Sequence, residues 1–501
     1  MNRTLQRCLQ AGLVLAAVLA AWALTGVARS NQVKTASTTS TLSLELCNVP
    51  GVSGPARCGT FEVWEDRTAK SGRKIRLHLI VLSALSTPAA DPVFVFQGGP
   101  GGAATDQVVA AGRGYLQSAR EHHDIVFVDQ RGTGKSNPLN CDIGDDPADL
   151  QSFFGELMPA EKVRACRQKL EATADLRMYT TPIAMDDLDD VRAALGYNKI
   201  NLAGASYGTI AAQAYMRQHP EHVRAAVLVG VASPGIKQPL LFAPAAQHAL
   251  DLLFEDCAAD SACRTSYPNL KEEFHQVLAR FDKGPLEVEF IHPSTRQKQK
   301  IQLVRGNFVE RIRLLLYSTT SARFVPLIIH RLYENDYLTF ETAAIASDIG
   351  GGIARGMYFT VTCSEGVPFI SDQELATTSK DTFLGDYRVR VHRKACEQWP
   401  RGDVAASFID PVRSQAPVLM ISGEADGSTP PWYGEAALKY LPNGRQLKIR
   451  YYGHQINGQC VWNIMNAFLD KGTTEGLDTS CTAAIRRPSF ATQLPAMEGS
   501  D

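Results

Sequence analysis

Unbroken apolar runs stand out along the chain at Val93–Phe96, Ile125–Val128, Ile200–Ala203, Ala225–Val231 and Val418–Ile421. Runs of Val, Ile, Leu and Phe without polar alternation suit strands buried on both faces, as in a parallel sheet. Alternation over Phe61–Glu65 and Ile75–Val81 predicts two further strands. Between the runs, Leu188, Val191 and Leu195 recur at helical spacing, and Ile210–Arg217 reads as a helix ended by His219-Pro220. Strands and helices in alternation predict a doubly wound, mostly parallel α/β sheet.

From about residue 235 to 400 the buried-strand rhythm stops. Amphipathic stretches at Ala245–Phe254, Leu270–Phe281 and Phe308–Tyr317 predict a largely helical insertion there. It follows the strand Ala225–Val231, so it stands over the carboxyl ends of the strands and caps a site. At the N-terminus, Arg3 and Arg7 precede the apolar run Ala11–Leu24 and the small residues Gly26-Val27-Ala28. That layout predicts a secretory signal cleaved after Ala28; the alternative is an uncleaved membrane anchor. The predicted organisation is a signal over 1–28, a flexible leader over 29–44, a core over 45–234, a cap over 235–400 and the second part of the core over 401–501.

Composition adds two constraints. With 51 basic and 52 acidic residues, bulk charge gives no reason to expect a nucleic acid or an anionic membrane as partner. Of the 11 cysteines, Cys8 lies in the signal and an even set remains: Cys47, Cys58, Cys141, Cys166, Cys257, Cys263, Cys363, Cys396, Cys460 and Cys481. Neighbours in sequence lie close enough to close short loops, which predicts five local disulfides in that order and export to an oxidising compartment, periplasmic or outside the cell. No C-x-x-C pair exists, and no metal or cofactor is expected.

Gly204-Ala205-Ser206-Tyr207-Gly208 follows the run ending at Ala203. A serine flanked by glycines two residues away on each side, between strand and helix, is the pattern of a nucleophile elbow, the sharp turn that exposes a serine hydroxyl in α/β-hydrolases. Serine needs a histidine base, and the imidazolium formed needs an oriented carboxylate. In this fold the chain order is serine, acid, histidine. His454, after the strand-like Leu447–Tyr452, is the only histidine beyond residue 392. For the acid, Gly423-Glu424-Ala425-Asp426 follows a buried run, and Asp426, with Gly427, Thr429 and Pro430 behind it, is better placed to turn back than Glu424. Oxyanion donors are expected from the backbone of Tyr207 and of the glycine loop Gln97–Gly102. Arg131-Gly132-Thr133-Gly134-Lys135-Ser136 ends like a phosphate-binding loop, but Asp129 stands where that motif requires glycine.

These pieces resemble the proline iminopeptidase and tripeptidyl aminopeptidase group of α/β-hydrolase serine peptidases. The resemblance rests on Gly98–Gly102, Asp129–Ser136, Asp187-Leu188-Asp189, the Ser206 elbow, Cys396–Pro400, Gly423–Pro430 and Gly453-His454. Gln97, where proline iminopeptidases usually carry histidine, and the region from Ala395 onward look more like the tripeptidyl aminopeptidase branch. The resemblance implies Ser206, Asp426 and His454 as the triad, narrows the oxyanion donors to Tyr207 and Gly99, and implies a peptide substrate with a free N-terminus. An aminopeptidase binds that cationic terminus with carboxylate, for which Glu365 is the candidate, held against the core by a Cys363–Cys396 disulfide. The alternatives are an esterase or amidase for small molecules, and a noncatalytic binding protein on the same fold. No stable membrane partner is expected once the signal is cleaved.

Overall fold

The computed structural model describes residues 42–86, 91–111, 114–347 and 352–493. The signal read over 1–28, and the leader up to residue 41, lie outside the described residues. Nine strands form one sheet: β1 (Leu42–Cys47), β2 (Ala56–Trp64), β3 (Lys74–Leu82), β4 (Val93–Phe96), β5 (Ile125–Val128), β6 (Ile200–Ala205), β7 (Val223–Val229), then β10 (Val418–Gly423) and β11 (Gly444–Ile449). Their spatial order is β1-β2-β3-β5-β4-β6-β7-β10-β11. Neighbours from β5 to β11 pair parallel, and β1 to β3 extend the sheet antiparallel.

Burial explains the apolar runs. In β4, Phe94 and Phe96 pack into a cluster with Val191, Ile210 and Tyr215, while Val93 and Val95 face a second cluster with Val461, Ile464 and Phe468. Helices Thr181–Ala194 and Tyr207–Gln218 thus cover one face and Gln459–Lys471 the other. The chain runs from β4 to β5 on one side and returns to β6 on the other side of β4. Loops leaving β4 and β6 therefore diverge at the switch point, where doubly wound sheets place ligand sites.

The segment between β7 and β10 is mostly helical, but it also contains an antiparallel hairpin, β8 (Leu286–Ile291) and β9 (Lys298–Leu303), which the helical reading of the insertion omitted. Val288, Phe290, Ile301 and Leu303 are buried, while Glu287 and Glu289 pair with Lys300 and Lys298 on the wet side. Residues of helices Phe242–Ala259, Leu270–Ala279, Arg305–Leu315 and Val325–Tyr333 share one apolar core with this hairpin and with Leu150, Phe153 and Phe154. Met357, Phe359, Cys363, Ala395 and Trp399 instead join the cluster under the sheet, so the stretch 235–400 is divided between two cores. Disulfides join Cys47–Cys58, Cys141–Cys166, Cys257–Cys263, Cys363–Cys396 and Cys460–Cys481. Among the described residues no single helix is long and apolar enough to cross a membrane.

Candidate active site

Ser206 sits between β6 and the helix Tyr207–Gln218 at φ 55° and ψ −124°, a conformation few side chains tolerate. Two glycines make the turn sterically feasible. A Cβ on Gly204 would lie 2.5 Å from the Gly208 carbonyl oxygen, and one on Gly208 would lie 2.0 Å from that of Phe96. The Ser206 N–H donates to Val229 O at 2.9 Å, tying the elbow to the end of β7.

The loop after β4 lies against this turn: a Cβ on Gly98 would approach Ser206 Cβ to 3.1 Å and its Oγ to 3.7 Å. Gly99, at φ 120°, and Gly101, at φ 103°, adopt backbone reserved for glycine. No acceptor among the described residues takes the N–H of Gly99 or of Tyr207, the latter opening its helix. Behind the loop, Asp129 accepts from Thr105 N and Oγ1, each at 2.9 Å, and from Lys135 N at 3.0 Å. A Cβ on Gly134 would come within 2.1 Å of that carboxylate, and Arg131 is fully buried against Asp187. The phosphate-loop lookalike is therefore a brace for the glycine loop.

Asp426 is fully buried past the end of β10, and its Oδ2 meets His454 Nδ1 at 2.9 Å. Its Oδ1 accepts the N–H groups of Ser428 and Thr429, each at 2.8 Å, and Thr429 Oγ1 donates to Oδ2 at 2.6 Å. Burial opposes ionisation here, but the neighbouring imidazole and the Thr429 bonds outweigh it and hold the carboxyl below its usual range. Glu424 makes no such contact. His454 lies against Gly230, where a Cβ would stand 3.1 Å from its Cε1, and the Tyr317 ring packs edge-on at 4.8 Å. Ser206 and His454 are thus fastened to consecutive residues, Val229 and Gly230. Among the described residues Ser206 Oγ makes no hydrogen bond, to His454 or otherwise. Such contacts are often long before substrate binds.

Glu365 requires a correction. It does not reach the cavity at Ser206 but lies beneath the elbow, 5% exposed, accepting from Thr181 N at 2.6 Å and Thr181 Oγ1 at 2.7 Å. Thr181 Oγ1 is also 2.6 Å from Tyr207 OH. Burial pushes the Glu365 carboxyl up to about 7, against the pull of its bonds from Thr181. The Cys363–Cys396 disulfide holds this turn in the core, with the carboxylate under the elbow. Both oxygens meet Thr181, and the cavity that Glu365 lines with Tyr207 and Gly366 is a different one from that at Ser206.

A cavity of about 120 Å³ holds Ser206 and Gly99, and its carboxylates are Asp145, Glu156 and Glu310. Asp145 pairs with Arg355, and Glu310 with Arg313 and Arg388. Among the described residues Glu156 has only Lys394, at 3.7 Å. None of these residues forms a motif, and only folding of the cap brings them together. Thr429 was legible in principle, since Asp-x-Ser-Thr favours a turn in which the aspartate accepts from the residues two and three ahead.

Residues 91–321 match the family described as alpha/beta hydrolase fold, and residues 381–481 the family described as TAP-like protein. Serine protease Hip1 of Mycobacterium tuberculosis is 30% identical over 244 residues, 45% of this chain and 46% of that protein. The tripeptidyl aminopeptidase of Streptomyces coelicolor is 30% identical over 200 residues, 36% of each chain. The proline iminopeptidase of Neisseria gonorrhoeae is 27% identical over 155 residues, covering 31% of this chain and 37% of that one. The aligned parts span less than half the length of these relatives. This sheet, elbow and pair of matches give the chain the α/β-hydrolase fold with a TAP-like match in its C-terminal region.

Proposed function

We propose that the chain is an exported serine hydrolase that releases residues or short peptides from free N-termini. The observation that carries this is the Asp426–His454 pair at 2.9 Å, with His454 against Gly230, next to the Val229 that accepts the N–H of Ser206 in its strained elbow. Ser206 Oγ attacks the substrate carbonyl while His454 Nε2 takes its proton, and the negative oxygen is received by the N–H groups of Gly99 and Tyr207. His454 then returns the proton to the leaving amine, the acyl group stays on Ser206, and water attacking by the same route frees it. Asp426 keeps the imidazole oriented and balances its charge during transfer. This chemistry needs no cofactor.

For the substrate ammonium, Glu156 takes the place first given to Glu365, because it is the cavity carboxylate with the loosest protein partner. The names of the relatives support a peptide substrate, and five disulfides support an oxidising compartment. Digestion of a peptide set with free or acetylated N-termini, read by mass spectrometry, tests the proposal. Loss of one to three residues from the free termini alone is expected; cleavage of both sets alike refutes the aminopeptidase reading. The small cavity favours a short acyl group, so the second reading is an esterase or amidase for small molecules, which turns over p-nitrophenyl esters but no peptide.

A further inference from the structure

In the wall of the cavity at Ser206 two buried guanidinium groups share one carboxylate. Glu310 and Arg313 lie on the cap helix Arg305–Leu315, and Arg388 on the helix Tyr387–Glu397. Glu310 Oε2 accepts from Arg313 Nε at 3.0 Å, and its Oε1 accepts from Arg388 Nη1 at 3.0 Å and from Arg313 Nη2 at 2.5 Å. One carboxylate therefore serves two guanidinium groups, with side chains only 2% and 13% exposed. Burial disfavours ionised Glu310, but Arg313 and Arg388 override it and hold the acid down at about 2, so it stays an anion and the set carries one net positive charge.

Among the described residues the remaining neighbours of Arg388 supply no second anion. Its Nη2 donates to Tyr358 OH at 3.0 Å, and Tyr358 OH is 2.8 Å from His392 Nε2. Burial first, and then Arg388 itself, push His392 down to about 3, so it is neutral. Among the described residues the buried Arg388 Nε has no hydrogen-bond partner. A buried charge left unpaired is costly, and a ligand anion in the cavity relieves it. Arg388, Arg313, Glu310 and Tyr358 line the same cavity as Ser206.

We infer that Arg388, seconded by Arg313, forms a subsite for a substrate carboxylate within the cavity that presents Ser206. This deepens the serine hydrolase reading and rests on it for turnover, though not for binding. The carboxylate has two sources, an acidic side chain or the C-terminal carboxylate of a short peptide. Guanidinium on carboxylate is a charge-assisted, commonly bidentate contact, and a neutral amide of the same shape leaves the site unpaired.

Two pairs of substrates separate the sources: peptidyl anilides differing only as Glu against Gln, and short peptides differing only as C-terminal acid against amide. In the wild-type chain one pair is expected to favour the acid in kcat/KM by about tenfold or more, as for a buried charged contact. In Arg388→Met that ratio falls to near one, and in Arg388→Lys it lies between. Equal turnover within both pairs by an active enzyme overturns the subsite, as does a preference that Arg388→Met leaves intact. p-Nitrophenyl acetate hydrolysis reports on the serine hydrolase reading separately. Should the folded protein fail to turn it over, glutarate and glutaramide still test the subsite by thermal shift: glutarate alone should raise the Tm of wild type, and equal shifts or none overturn it.

Discussion

Replacing Glu365 with Gln isolates a buried carboxyl that links the core to the elbow. Glu365 is 5% exposed, and its hydrogen-bonding partner is Thr181, whose Oγ1 also meets Tyr207 OH at 2.6 Å. Burial raises the carboxyl from its ordinary 4.5 to about 7. The folded state therefore holds this proton more tightly than the unfolded chain. The stabilisation is present in full below about pH 4.5 and is lost as pH climbs through about 7. At about 1.4 kcal/mol per pH unit, the loss for wild type approaches about 3 kcal/mol by pH 8. Glutamine carries no such charge: its carbonyl can accept from Thr181 N, and its NH2 can donate to Thr181 Oγ1, which then donates to Tyr207 OH. Urea denaturation of both proteins at pH 5, 6, 7 and 8 reads the difference. Wild type should lose about 2.5 kcal/mol relative to Glu365→Gln between pH 5 and 8, since a little under about 1 kcal/mol is already lost at pH 5. A difference that stays flat across that range refutes a carboxyl held protonated by burial.

Gly208→Ala puts a Cβ 2.0 Å from the Phe96 carbonyl oxygen and should destabilise the fold by more than about 2 kcal/mol, abolishing activity. Gly196→Ala, at φ 81° but with nothing within 4 Å, should cost only about 1 kcal/mol, and denaturation midpoints compare the two. Thr429→Val removes a 2.6 Å hydrogen bond to Asp426 and should lower kcat about tenfold with little change in KM. Replacing Cys460 and Cys481 together by Ala opens a link across 21 residues and should cost about 3 kcal/mol of stability, without changing the kcat of protein that remains folded.

The central strands were legible because burial on both faces leaves an unbroken apolar run, as Val93–Phe96 and Val418–Ile421 show. Edge strand β1 was not: only half-buried, its Leu42–Cys47 pattern offers no such run. The β8–β9 hairpin was hidden for a related reason, since its wet side of Glu and Lys balances the buried Val288, Phe290 and Ile301 within each strand. The elbow was legible because sterics dictate glycine at Gly204 and Gly208, and Asp426 and His454 followed from their places after late strands. Thr429 and Tyr317 reach His454 only through tertiary contact, and the Glu310, Arg313 and Arg388 set joins helices far apart in sequence. Glu365 was an acid near the end of the insertion, and the sequence does not reveal that its side chain turns onto Thr181 under the elbow.

Covalent labelling tests the proposed nucleophile most directly. Wild-type protein treated with a fluorophosphonate, digested and read by mass spectrometry should carry one adduct, on Ser206. His454→Ala should retain its fold and lose the adduct, because the serine then lacks its base. An adduct on another serine, or none on folded wild-type protein, contradicts the assignment of Ser206, His454 and Asp426 as a working triad.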